Sequence, residues 1–316
     1  MFERFSNNLT VSKILRIFGH AKFPQKRYCL RCRSRRISSL SDGRFFCLRC
    51  HFKFSLLTRT YLERSFLPLD GWYELLWWFA YEFTANKTAK EVKLPQQRVH
   101  NYFSLIRKAI YNYERPQLNQ FCGEVEVDET YVGPKFKNRR KKKREWYRKI
   151  NAVRRGRGAK VLQQPVFGLY QRDGRVYVEF VGDVGKKTLQ DIIKGRIVLE
   201  SEVYTDTWKS YRGLKREGYH HEVVDHGREE YLREKRGKKI HINGIEGFWG
   251  YLKEHLLKHH GVGKGNLIYY IKEQEFRFNH RHLSTDEFVQ RDFSQIWSAR
   301  CVMPIIITKK HPRFFV

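Results

Sequence analysis

The chain has 316 residues, of which 63 are Lys or Arg and 33 are Asp or Glu, so its formal net charge at pH 7 is +30. A chain that is 41% hydrophobic and 15% aromatic can bury a core, which argues against global disorder. The positive excess favours a nucleic acid partner over a membrane, because the apolar runs are far shorter than the ~20 residues of a spanning helix. The first residues carry no secretory signal, so we expect a cytoplasmic protein whose paired cysteines bind metal.

The first predicted element is a zinc ribbon over residues 1–62. Four of the six cysteines form two CxxC pairs separated by fourteen residues, and two such pairs complete the tetrahedral sulfur shell that Zn²⁺ accepts. Between the pairs, Asp42-Gly43 is a turn signal flanked by two short strand-like runs. Two disulfides or free thiols are the alternative. The predicted zinc ligands are Cys29, Cys32, Cys47 and Cys50, whereas Cys122 and Cys301 are isolated and predicted to be ordinary buried cysteines.

A helical DNA-binding domain is predicted over residues 63–118. An apolar-rich helix comes first, and the capping-box pattern of Thr88 and Glu91 predicts the start of a short second helix. This helix stops by Pro95, and a longer basic helix follows it. The pair fits a helix-turn-helix, in which Arg98 lies near the start of the recognition helix and contacts DNA. A three-helix bundle without DNA contact is the alternative.

From residue 119 onward the pattern changes to strands. The segment EVEVDETYV alternates, so that Glu126 and Asp128 share one face of a strand and Glu129 points to the other. A basic insertion over residues 135–160 follows, with fourteen Lys or Arg and a single acid. We predict that it clamps DNA near the strand that carries Asp128, and a solvated loop is the alternative. The DNA-binding residues predicted there are Lys141, Lys142 and Arg144.

The elements after the insertion complete an α/β catalytic domain, predicted over residues 119–316. Two strands flank a turn at Asp173-Gly174, a helix comes next, and a short strand ends at Asp206. A later helix carries Glu246 and has an apolar face. This order is the layout of a ribonuclease H-like core, in which acids from adjacent strand ends hold two Mg²⁺ about 4 Å apart. The apolar face consists of Ile245, Phe248, Trp249 and Leu252.

Four segments, VDETYVGPK, VYTDTWKSY, HINGIEGFWGYLK and KEQEFRFNHR, resemble those of DDE transposases of bacterial insertion sequences related to Merlin elements. The resemblance covers residues 25–290. It implies that Asp128, Asp206 and Glu246 are catalytic acids that bind two Mg²⁺, which Mn²⁺ can replace. It also implies that Lys253, two helical turns after Glu246, touches a DNA phosphate.

The resemblance implies an insertion-sequence transposase that binds terminal inverted repeats and catalyses DNA cleavage and strand transfer. Its partner is double-stranded DNA, and a homodimer is expected in the DNA complex of this nucleoid-associated, non-membrane protein. Alternatives are a domesticated zinc-ribbon regulator and a ribonuclease H-like nuclease without strand transfer. Two site assignments also stay open: Asn243 in place of Glu246, and Asp183 or Asp225 in place of Asp206.

Overall fold

The chain forms two units in the computed structural model. One unit contains Met1–Tyr113 and His280–Val316, and the other contains Glu114–Asn279. The structure describes residues 11–60, 62–63, 65–114, 120–133, 140–149, 163–172, 174–225, 233–235 and 237–293. Cys301, Asp173 and much of the basic insertion lie outside these ranges. Among the described helices, none is both long enough and apolar enough to cross a membrane.

The cysteine-rich part of the first unit is a helix followed by a three-stranded antiparallel sheet. Its elements are α1 (Val11–Lys22), β1 (Ile37–Ser39), β2 (Phe45–Cys47) and β3 (Lys53–Phe54). Strands β1 and β2 pair across the predicted Asp42-Gly43 turn. Gly43 has a φ of 77°, a left-handed conformation that glycine adopts without strain.

Three helices continue the first unit, and its C-terminal part adds a one-turn helix, Thr285–Glu287, and a π-helix, Phe288–Phe293. The three are α2 (Leu69–Ala80), α3 (Ala85–Glu91) and α4 (Gln96–Glu114). The predicted succession of a short helix, a tight turn and a long helix is present in α3 and α4. The capping box predicted at Thr88 is wrong, because α3 begins at Ala85 and the Thr84 hydroxyl accepts the N–H of Lys87 at 3.4 Å. Thr88 is buried inside the helix.

The second unit is built on a five-stranded mixed sheet with helices on both faces. Its strands are β4 (Glu124–Val132), β5 (Gln164–Gln171), β6 (Val176–Phe180), β7 (Glu202–Thr205) and β8 (His220–Val223), and a separate hairpin consists of β9 (Arg233–Lys235) and β10 (Lys238–Ile240). The sheet order is β6-β5-β4-β7-β8. Strands β4, β5 and β6 are antiparallel neighbours, whereas β7 and β8 run parallel to β4. The predicted α/β class is therefore confirmed.

The helices of the second unit are α5 (Lys141–Lys149), α6 (Lys186–Arg196), α7 (Asn243–Leu257) and α8 (Lys264–Asn279). One face of the sheet packs against α6, with Val125 and Val127 of β4 in the same core as Leu189 and Ile193. The opposite face packs against α7 and α8. The predicted apolar face of α7 is confirmed, since its four residues are all buried in that second core.

Helix α8 covers the edge strand β6 with polar side chains. Asn279 accepts the N–H of Val176 at 2.7 Å and donates to its carbonyl at 2.9 Å. Glu275 accepts the N–H of Val178 at 3.1 Å, and its charge is balanced by Lys272 at 2.6 Å. The segment KEQEFRFN, which the resemblance includes, therefore has a structural role at this edge.

Two local features of the second unit differ from the sequence predictions. Cys122 is exposed rather than buried. Its neighbour Phe121 pairs with Ile197 and is buried, so alternation turns the next side chain outward. Within the basic insertion, residues 141–149 form the helix α5, which the charge pattern did not predict.

Candidate active site and metal centre

The first two predicted acids lie on neighbouring parallel strands, Asp128 in the middle of β4 and Asp206 directly after the end of β7. Strands β4 and β7 pair Glu124 with Glu202 and Glu126 with Tyr204. Continuing this register by two residues puts Asp128 level with the residue that follows β7, which is Asp206. The negative charge of Asp206 raises the pKa of Asp128, so the two carboxyls are electrostatic neighbours. Close carboxylates are a donor set suited to a hard divalent cation.

Asp128 ionises with difficulty in this position. Burial, followed by the charge of Glu129, raises its pKa from 3.8 to about 8. The indole Nε1–H of Trp249 donates to Oδ2 at 3.0 Å and opposes part of this shift. A cation beside these carboxyls would favour the ionised form of Asp128, so the site fits a metal ion by its charge as well as by its oxygen donors.

A glycine opposite Asp128 makes room for the tryptophan. Gly168 of β5 pairs directly with Asp128. A Cβ atom at position 168 would lie 2.6 Å from the ring of Trp249 and 3.0 Å from the side chain of Ile245. The missing side chain lets the indole lie against the strand, where its N–H reaches the carboxylate.

Asp206 is held by the loop that follows β7. Its Oδ1 accepts the N–H of Trp208 at 2.8 Å, and its side chain is half-buried. Asp183, an open alternative for the second acid, instead occupies the start of α6. Its Oδ1 accepts the N–H of Gly185 at 2.8 Å and the hydroxyl of Thr188 at 2.9 Å, so the carboxylate is used in an Asx turn just before the helix.

Glu129 is a third carboxyl in this electrostatic group, although strand alternation places it on the face of β4 opposite Asp128. Its side chain lies toward the α6 face, where the buried hydroxyl of Tyr211 donates to it. Burial raises its pKa from 4.5 to about 7, and the charge of Asp206 acts in the same direction while the bond from Tyr211 opposes it. A usable signal was its position directly after Asp128 in the chain, since a neighbouring charge shifts a pKa whichever face of the strand it is on.

The third predicted position lies on the first turn of α7. Asn243 begins this helix, and Glu246 follows one turn later; both side chains are exposed. Lys253 is also exposed, two turns after Glu246. Trp249 anchors the same helix to Asp128, so Glu246 belongs to the turn that precedes this anchor. The assignment of Glu246 over Asn243 as a metal ligand stays a prediction.

The four paired cysteines form a second candidate metal centre. Their sulfur atoms all lie within 4.8 Å of one another, with 3.5 Å between Cys29 and Cys50 and between Cys32 and Cys47. Zn–S bonds of about 2.3 Å in a tetrahedron require sulfur separations of about 3.8 Å, so the donors fit Zn²⁺. His51 is stacked on Phe46, with 5.7 Å between ring centroids.

The two cysteine knuckles have the same backbone form. The N–H of Arg33 bonds to the Cys29 carbonyl at 3.0 Å, and the N–H of His51 bonds to the Cys47 carbonyl at 2.9 Å. Arg33 and His51 both have positive φ, 62° and 57°. This repeated turn directs both sulfur pairs to one point, which is the geometry that the doubled CxxC spacing predicted.

The predicted DNA-binding side chains are accessible to different degrees. Arg98 is exposed at the start of α4. Lys141 and Lys142 are exposed on α5, and Arg144 on the same helix is half-buried. Trp146 of α5 is also exposed. These positions suit contacts with phosphates, and their role in DNA binding stays a prediction.

Comparisons with known proteins point to one family. Residues 120–279, half of the chain, match the family model described as an ISXO2-like transposase domain. An uncharacterized transposase-like protein of Haemophilus influenzae is 35% identical over 111 residues, which cover 35% of this chain and 86% of that protein. An uncharacterized protein in the transposable element ISH50 of Halobacterium salinarum is 26% identical over 258 residues, which cover 79% and 84% of the two chains.

Proposed function

The chain belongs to the ISXO2-like transposase family, and from this premise we propose that it binds the terminal inverted repeats of its own insertion sequence and catalyses DNA cleavage and strand transfer. The single observation that carries the proposal is that Asp128 and Asp206, on neighbouring parallel strands, are close enough for the charge of Asp206 to raise the pKa of Asp128. The sheet order supports a ribonuclease H-like core, because the first three strands of the unit are antiparallel neighbours and the next two run parallel to the first.

In the proposed mechanism, Asp128, Asp206 and Glu246 would hold the divalent metal between β4, the end of β7 and the first turn of α7. Two Mg²⁺, or Mn²⁺ in their place, would supply activation of the attacking water or 3′-hydroxyl and stabilisation of the leaving oxygen when bound. Trp249 fixes the rotamer of Asp128 by donating to Oδ2. Lys253 contacts the phosphate backbone of the DNA next to the acids.

The first 118 residues are proposed to recognise DNA, with residues 1–62 as a zinc ribbon and 63–118 as a helix-turn-helix domain. Residues 119–316 with the basic insertion 135–160 would then contain the catalytic site. The exposed Arg98 at the start of α4 supports this division of roles. Because two element ends must be brought together, we propose that two copies of the chain act in one DNA complex.

A strand-transfer assay with labelled element ends and Mg²⁺ or Mn²⁺ tests the proposal. We expect the protein to cleave the ends and join them to target DNA. Asp128→Asn is expected to abolish both steps while end binding in a gel-shift assay is retained. The matched control is Asp183→Asn, which changes an Asx-turn residue before α6 and is expected to keep activity. Cleavage without joining would indicate a nuclease, and binding without cleavage would indicate a regulator.

A further inference from the structure

Beyond the acids themselves, the structure points to a residue that sets their spacing. We propose that Glu126, paired with Arg172, is a positioning residue: it fixes the first turn of α7 against β4 and thereby determines how tightly the acids bind divalent metal. This inference rests on the proposed function, because it takes Asp128 and Glu246 to be ligands of the same metal centre.

Glu126 is a fully buried carboxylate with partners on both oxygens. Oε2 accepts the backbone N–H of Ile245, in the first turn of α7, at 2.9 Å. Oε1 accepts Nε–H of Arg172 at 3.0 Å and lies 3.2 Å from Nδ1 of His241. Its side chain has 0% exposure, and both of its oxygens are engaged by protein groups. A buried charge of this kind is tolerated only when it is paired and hydrogen-bonded.

Arg172 connects the approach to α7 with the central strand. In addition to Glu126, its guanidinium donates to the carboxylate of Glu124 at 2.9 Å. It also donates to the carbonyls of Lys239 in β10 at 2.7 Å and of His241, two residues before the helix, at 2.9 Å. The planar group has five N–H donors in a fixed arrangement, so these contacts can be satisfied together only in one position of the chain before α7.

Helix α7 is therefore attached to β4 at two points on one face of the strand. Glu126 holds Ile245, and Asp128 holds Trp249. From Ile245 to Trp249 the helix advances by about 6 Å, and from Glu126 to Asp128 the strand advances by about 6.6 Å. These two distances agree when the helix axis runs nearly parallel to the strand. Glu246, next to Ile245 in the chain, is thus fixed in its position along β4 relative to Asp128.

A glycine in the first turn of α7 completes the close approach. A Cβ atom at Gly244 would overlap the ring of Tyr170 and lie 2.8 Å from Oε2 of Glu126. By contrast, a Cβ at Gly247 on the same helix would meet nothing within 4 Å. These two positions give a steric test of the same attachment that changes no charge.

The experiment measures Mn²⁺ affinity by electron paramagnetic resonance on the full-length, zinc-loaded protein. Glu126→Gln keeps the size of the side chain and removes its charge, and we expect it to weaken Mn²⁺ binding about ten-fold or more, as loss of outer-shell partners does in metal sites. The matched control is Glu275→Gln, because Glu275 is also buried, accepts a backbone N–H and pairs with a lysine, but lies on α8. We expect the control to keep the wild-type affinity.

The steric pair gives an independent readout: Gly244→Ala should weaken Mn²⁺ binding and Gly247→Ala should not. If Glu126→Gln and Glu275→Gln change the affinity equally, or if neither changes it while wild type binds Mn²⁺, the positioning role is refuted and the metal centre stands. If wild type binds no Mn²⁺, or binds Mn²⁺ that Asp128→Asn binds equally well, the metal centre of the proposed function is refuted together with the positioning role.

Discussion

Replacing Asp128 with Asn should stabilise the second unit when no divalent metal is present. The pKa of Asp128 is about 8 in the folded protein, against 3.8 for an ordinary aspartate. Between these two pH values the folded protein keeps a proton that the unfolded chain has released. The unfolded state therefore binds fewer protons, and the free energy of unfolding falls as the pH rises from about 4 to about 8. Asparagine does not ionise and removes this dependence.

The size of the effect follows from the shift. At pH 7, which is about three units above the pKa of the unfolded aspartate, the folded carboxyl is still protonated. Each unit lowers the free energy of unfolding by about 1.4 kcal/mol, so the total is ~4 kcal/mol. Part of the shift of Asp128 comes from the charges of Glu129 and Asp206, and the charge of Asp206 also raises the pKa of Glu129, so the individual contributions do not add. We expect Asp128→Asn to raise the free energy of unfolding by about 2 kcal/mol at pH 7. The Asn carbonyl can still accept the N–H of Trp249.

The measurement is hydrogen–deuterium exchange of peptides from β4 and β5 at increasing urea concentrations. It gives the free energy of unfolding of the second unit separately from that of the first. Magnesium should be omitted rather than chelated, because a chelator would also remove zinc from the cysteines. The free energy of unfolding of the variant should exceed that of wild type at pH 8 and equal it near pH 4. Added Mg²⁺ should stabilise wild type and not the variant. A variant that is no more stable than wild type at pH 8 would refute the electrostatic reasoning.

Three further outcomes are expected. Gly168→Ala should displace Trp249, since the new Cβ would lie 2.6 Å from its ring, and lower the free energy of unfolding by about 1–3 kcal/mol in urea titrations; unchanged stability would show that the ring moves freely. Cys47→Ser should remove bound zinc and unfold the cysteine-rich segment, while Mn²⁺ binding persists. Zinc is measured by mass spectrometry of the purified protein, and retained zinc would contradict the four-sulfur centre. Arg98→Ala should weaken binding of an element end by about 1–3 kcal/mol in fluorescence anisotropy, whereas Lys108→Ala, on an exposed position of the same helix, should not; equal losses would argue against base contact by Arg98.

The parts of the fold that sequence predicted well are those with a local periodic or spacing signal. The doubled CxxC pattern located the four-cysteine cluster, since each pair needs only a short turn to direct its sulfurs. The i, i+3, i+4, i+7 spacing located the buried face of α7, and strand alternation separated Glu126 and Asp128 from Glu129. Each of these signals depends on residues only a few positions apart.

The parts that sequence missed depend on long-range contacts or on competition between local signals. Nothing near Glu126 indicates that it bonds to Ile245, 119 residues later. Alternation correctly separated the faces of β4 but did not reveal that Glu129 shares the electrostatic environment of Asp206 from the other side. At α3, Thr84 lacks the acidic partner of a capping box and still caps the helix, so the motif three residues beyond it was misleading.

The cover that α8 places over β6 has a consequence for how copies of this protein meet. An edge strand with free N–H and C=O groups can be extended by a strand of another chain. Here Val176 and Val178 have their N–H groups occupied by Asn279 and Glu275, so an incoming strand would find these sites taken. This edge of the sheet is therefore a poor template for pairing with a strand of a second copy.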